Sequence, residues 1–181
     1  MVPARIRSTS RVYSAIDSAF ETLIKRDCPK CRLVPVDFAF NQVPNPATQI
    51  WKSGILANPD SKAIGVDSDQ LFGIGMQTAI QQSPLRGKNV IVVGGEGGRL
   101  NYELIRQGTQ TASVPLPYSW LMWGLADTLN RVFAGQNPRT LPSEGGGWQF
   151  VDKEHNLPAS GAQYEPPVDF RSAYKKIWAG S

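Results

Sequence analysis

The chain has 181 residues, 41% of them hydrophobic and 19% charged, the make-up of one ordinary globular domain or one and a fraction. Its net charge of +4 comes from scattered Lys and Arg, which argues against a nucleic-acid surface built on one element. No apolar run approaches the roughly 20 residues that span a bilayer. The opening MVPARIRSTSR has charges but no apolar stretch of the kind a signal peptide carries. Taken literally, such a chain is expected in the cytoplasm; taken as a fragment, its address lies upstream.

The densest basic group, Arg5, Arg7 and Arg11, is expected to be a frayed terminus. Residues 10–26 read as a helix, because Val12, Ala15, Ile16, Ala19, Phe20, Leu23 and Ile24 recur at i, i+3, i+4 spacing behind Ser10 as N-cap. The two cysteines follow, in Cys28-Pro29-Lys30-Cys31. A zinc site would need two more ligands, and the single histidine, His155, is far along the chain. A redox motif should follow a strand and open a helix, whereas this pair does the reverse. We read it as a structural turn, closed by a disulfide if the protein is exported.

Residues 33–38 then read as a strand, 47–57 as a helix stopped by Asn58-Pro59-Asp60, and 63–66 as a strand. Asp67-Ser68-Asp69 should cap a third helix that runs to about residue 82. The run Val90 to Val93 is short, continuous and β-branched, as in a strand buried on both faces of a parallel sheet. It ends in a glycine cluster holding one acid, Glu96, and a helix over 100–107 stops at Gly108. A strand at 112–114, a helix at 118–134, a Gly/Pro-rich loop at 136–147, a strand at 148–151 and a last helix at 168–178 complete the series. The alternation over the first 108 residues predicts an α/β fold: a Rossmann-like, three-layer αβα lobe with a mostly parallel sheet. We divide the chain into an α/β unit, 1–114; a segment with the apolar helix, 115–147; and a last strand with tail, 148–181.

Ligands of such sheets bind outside the carboxyl ends of the strands, which puts Glu96 at the mouth of a site. An anionic side chain there works against a phosphate and suits a hydroxylated or cationic ligand. Gly95-x-Gly97 is followed by Leu100 where a dinucleotide fingerprint needs its third glycine, and there is no P-loop. No cofactor and no metal are therefore expected. Asp67, Asp69 and Glu96 sit near adjacent strand ends, where they could hydrogen-bond sugar hydroxyls; Asp69 serves equally well as a helix cap. A catalytic triad would have to use His155, which lies in a charged loop, and no G-x-S-x-G elbow occurs. The chain is not expected to be an enzyme.

The helix at 118–134 is apolar nearly all round. Tyr118, Leu121, Leu125, Leu129 and Val132 form one face, while Trp120 and Trp123 lie on another. Such a helix needs cover on more than one side.

Five segments together resemble a known family: LANPDSKAIGVDSDQLFGIGMQTAI (56–80), GKNVIVVGGEGG (87–98), ELIRQGTQTASV (103–114), WGLADTLNRVFAG (123–135) and WQFVDKEHNLP (148–158). In this order they are similar to the C-terminal lobe of type I periplasmic solute-binding proteins, the sugar-binding components of ABC importers. The resemblance implies a periplasmic-binding-protein-like lobe, with the first lobe absent from this stretch. It implies that residues 118–134 would pack on that missing N-terminal lobe, or on a second copy. It implies a sugar or polyol ligand, an ABC permease as partner, no nucleic acid, and periplasmic or surface export of the full-length protein. The family's ligand positions map onto Asp67, Ser68 and Asp69, onto Glu96 in place of the usual Asp, and onto Asp37, Phe38 and Phe40. The arginine that often opens the lobe's first helix has no match here, since Tyr13 and Ser14 fall near its place. LacI-type repressors share the fold, so an effector-binding domain is the alternative. A sensor domain feeding a kinase is a third reading.

Overall fold

Residues 3–8 form a strand, β1, at the heart of the sheet, and not the frayed arm expected for this basic segment. The computed structural model describes residues 3–8, 11–141 and 145–180. Strand β1 (Pro3–Ser8) pairs in parallel with β2 (Val34–Phe38) on one side and with β3 (Ala63–Val66) on the other. Strands β4 (Ile91–Glu96) and β5 (Ala112–Pro115) extend the sheet, giving the order β2-β1-β3-β4-β5, all parallel. Two flanking partners satisfy the backbone of β1. Those partners are distant in sequence, and six residues with two arginines have no strong apolar period of their own.

The helices are α1 (Arg11–Asp27), α2 (Ala47–Leu56), α3 (Met76–Gln81), α4 (Arg99–Gln107), α5 (Tyr118–Phe133) and α6 (Phe170–Trp178). From β1 the chain steps outward to β2, then returns past β1 and continues the other way. Right-handed crossovers therefore set α1 on one face and α2, α3 and α4 on the opposite face. On that second face Val36, Phe38, Ile64, Val66 and Val92 meet Trp51 and Ile55 of α2, Met76 of α3 and Leu104 of α4. Trp51 is fully buried, with the Phe38 ring edge-on at 5.3 Å.

The helix expected over residues 69–82 is split. Asp69–Ile74 is a 3-10 turn, and α3 starts only after Gly75, whose φ of 126° no helix accommodates. A side chain at Gly75 would place its Cβ 2.5 Å from Thr48 Oγ1 on α2. Ser10, expected as the N-cap of α1, lies outside the described residues. Cys28 and Cys31 form a disulfide that closes the turn after α1.

Beyond α5 the tail folds back. The strand expected at 148–151 is reduced to one antiparallel bridge, in which Ser113 and Val151 exchange both backbone hydrogen bonds at 2.9 Å. Val151 packs with Tyr102, Ile105 and Tyr164, while Trp148 and Phe150 stay exposed. Helix α6 then covers one side of α5: Trp120 stacks on Phe170 at 5.4 Å, and Trp123 on Trp178 at 5.3 Å. The Trp178 Nε1–H donates to Asp127 Oδ1 at 2.7 Å, which fixes the register of the two helices. The other side of α5 is open. Tyr118, Met122, Leu125, Leu129, Val132 and Phe133 are exposed, Phe133 by 83%.

Candidate functional site

The strand order reverses between β1 and β3, and such a switch point opens a crevice at the carboxyl ends of the strands. Four adjacent strands deliver side chains there. Tyr13 comes from the first turn of α1, directly after β1, and Ser68 from the turn after β3. Glu96 ends β4, and Phe40 follows β2. The Tyr13 hydroxyl donates to Glu96 Oε1 at 2.8 Å, and the Ser68 hydroxyl to Glu96 Oε2 at 2.6 Å. The Phe40 ring lies 5.6 Å from the Tyr13 ring.

Glu96 has a φ of 76°, in the left-handed region that non-glycine residues rarely occupy, and Gly97 continues there at 57°. Together they turn the chain from β4 into α4. Asp69 holds this turn from below. Its Oδ2 accepts from the Gly97 N–H at 3.2 Å and from the Ser113 hydroxyl, and its Oδ1 accepts from Gln110 Nε2 at 2.8 Å. Asn101 Nδ2 donates both to the Asp69 carbonyl, at 3.1 Å, and to Gln110 Oε1, at 3.0 Å. One buried carboxylate thus ties together the ends of β3, β4 and β5 and the start of α4. Gly94 makes room for it, because a Cβ on Gly94 would stand 1.9 Å from Asp69 Oδ1.

The electrostatics follow from this geometry. Burial pushes the Asp69 carboxyl up to about 7, and the nearby Glu96 charge adds to the rise. The bonds from Ser113, Gln110 and Gly97 pull the other way without cancelling it. Burial raises the Tyr13 phenol to about 12, with the Glu96 carboxylate contributing. Tyr118, at the start of α5, is also raised, first by burial and then by the charges of Glu96 and Asp69.

Of the residues singled out from the sequence, Glu96, Ser68 and Phe40 come together at the mouth. Asp69 is fully buried, with its carboxylate turned into the protein, and Asp67 is buried as well. Phe38 lies in the core against Trp51. Asp37 is exposed on β2, an edge strand. Sequence reasoning did not assign Tyr13 to the site, and it missed the Asn101, Gln110 and Ser113 shell. The signal for Tyr13 was its place one turn after a strand, which is legible only once β1 is recognised.

The fold recurs in solved structures. An ABC transporter periplasmic solute binding protein from Actinobacillus succinogenes 130z, solved with bound D-allose, matches with a TM-score of 0.64 at 22% identity, over 84% of this chain and 53% of its own. A putative LacI transcriptional regulator from Bacteroides fragilis matches at 0.67 and 13%, over 84% and 52%. A twin-arginine translocation pathway signal protein from Burkholderia phytofirmans matches at 0.63 and 18%, over 99% and 53%. The chain spans about half the length of each. These likenesses establish the fold, an α/β lobe of the type I periplasmic-binding-protein kind. No protein-family model matches the chain, and no curated protein does.

Proposed function

We propose that this chain is the C-terminal lobe of a two-lobe, exported solute-binding protein that captures a sugar or polyol and delivers it to an ABC permease. The observation that carries the reading is the Glu96, Ser68, Tyr13 and Phe40 cluster at the carboxyl ends of adjacent strands. A carboxylate and hydroxyls bind ligand hydroxyls, and an exposed ring suits the apolar face of a sugar. The work is non-enzymatic: two lobes close on the solute, which stabilises the closed state by binding it better than the open one. In this reading Asp69 positions the Glu96 turn and does not itself meet the ligand.

One lobe holds about half of the contacts. If the two-lobe protein binds with a micromolar Kd, half of that free energy leaves a Kd of about 1 mM for this chain. Calorimetry that finds micromolar binding of any monosaccharide by the isolated chain would contradict the proposal. A thermal-shift screen of monosaccharides and polyols on the two-lobe protein is the positive test.

The open side of α5 fits the same reading, as the seat of the other lobe. Several large apolar side chains there should not remain wet, since burying each is worth roughly 1.5–3 kcal/mol. In isolation the chain is expected to self-associate through this face. Leu125→Glu with Leu129→Glu should give a monodisperse monomer in light scattering, without loss of helix content; an unchanged mass in the double variant counts against the assignment.

The LacI-type match favours a second reading, an effector-binding domain of a repressor. The coding sequence upstream separates the two. A signal peptide followed by a first lobe supports transport, and an N-terminal DNA-binding helix pair supports repression.

A further inference from the structure

The donors and acceptors of the Glu96 cluster narrow the ligand. A carboxylate only accepts hydrogen bonds, so Tyr13 and Ser68 both donate to it, at 2.8 and 2.6 Å. Each hydroxyl has a single hydrogen, so what either oxygen keeps is lone pairs. Ser68 is 1% exposed, and its oxygen also accepts from the Gln70 amide at 3.3 Å. The two partly exposed members are Tyr13 and Glu96, and both offer acceptors alone. The ion pairs given among the described residues engage acids other than Glu96.

A neutral hydroxyl can donate to Glu96 but uses this surface only in part. It offers one hydrogen to a set of acceptors, and it brings lone pairs that need donors of their own. An ammonium brings three hydrogens, no lone pair and a charge opposite to that of Glu96. Bonds of that kind are roughly twice as strong as neutral ones. The half-exposed Phe40 ring stands beside Tyr13 as an apolar wall. Building on the reading of this site as one for a small polyhydroxylated solute, we infer that the solute carries a primary ammonium group, seated on Glu96 and Tyr13 — an amino sugar or amino polyol with its carbon skeleton against Phe40.

Amide chemical shifts of the ¹⁵N-labelled chain test this, because NMR detects millimolar binding by a single lobe. The probes are D-glucosamine, D-galactosamine and D-mannosamine, each against its parent hexose and its N-acetyl derivative, at a pH where the amines are protonated. The Ser68 and Gly97 amides are expected to shift with at least one amino sugar, at a concentration about tenfold below that needed for its parent. N-acetylation should remove the advantage, and Glu96→Gln should reduce the amino sugar to the level of the hexose. If Glu96→Gln loses spectral dispersion, Tyr13→Phe, which removes one oxygen, should weaken the amino sugar more than the parent. Parent hexoses that bind as tightly as the amino sugars overturn the ammonium and leave sugar binding standing. Amides that respond to none of the probes overturn both.

Discussion

Gly94→Ala is expected to lower the melting temperature by about 10 °C. The added methyl carbon would stand 1.9 Å from Asp69 Oδ1 and 2.9 Å from its Cγ. Asp69 cannot withdraw freely, because Ser113, Gln110 and the Gly97 amide all donate to it. Either β4 shifts against β3 and β5, or the carboxylate leaves its donors unsatisfied. Overpacking costs about 1–3 kcal/mol, and a buried donor without a partner about 1–3 kcal/mol more. A combined loss of about 3–4 kcal/mol converts to about 10 °C for a chain of this size. Gly87→Ala is the control: its φ of 74° carries a left-handed penalty, but nothing lies within 4 Å of its Cβ position. A Gly94→Ala variant that melts no lower than the Gly87→Ala control would sink the account of Asp69 as the tie between strand ends.

Stability should fall as pH rises from about 4 to about 7. The Asp69 carboxyl is raised from 3.8 to about 7, chiefly by burial. Between those values the folded chain holds a proton that the unfolded chain has released, so folding is favoured on the acid side and loses that advantage as pH climbs through the folded value. The shift corresponds to a change on the order of 4 kcal/mol across the window. Glu103, Asp152, Glu165 and Asp169 are held below their usual range by hydrogen-bond and charge partners, so their contribution has the opposite sign and is lost at more acid pH. Asp69→Asn isolates the buried group. Urea unfolding at pH 5 and pH 8 should show a larger stability difference in the parent than in the Asn variant, which keeps only the contribution of the His155 imidazole, raised by its bond to Asp152 and lost in the same direction as pH rises; equal differences in both would exclude Asp69 as the source.

The layers of the fold and the Glu96 turn were legible because their signals are local. Apolar faces marked α1 and α5, the stop signals Asn58-Pro59-Asp60 and Gly108 marked the ends of α2 and α4, and the valine run with its glycine cluster marked the end of β4. Strand β1 was hidden because its stability comes from pairing with strands some 30 and 60 positions further on. Losing it also hid the switch point, and with it the place of Tyr13 beside Glu96. The direction of Asp69 was beyond reach for a similar reason. Its donors come from Gly97, Gln110 and Ser113, which only the completed sheet brings together. Phe38 is a different case. It shares the inward face of β2 with Val36, and the two-residue period of a strand separates it from Asp37.

The left-handed backbone at Glu96 sets two demands against each other at a single position. A glycine there would relieve about 1–2 kcal/mol of steric penalty while erasing the anion at the entrance. If Glu96 meets the ligand as proposed, thermostabilising redesign of this chain would drift toward a firmer but blind scaffold, because the gain in rigidity and the loss of recognition fall on one residue.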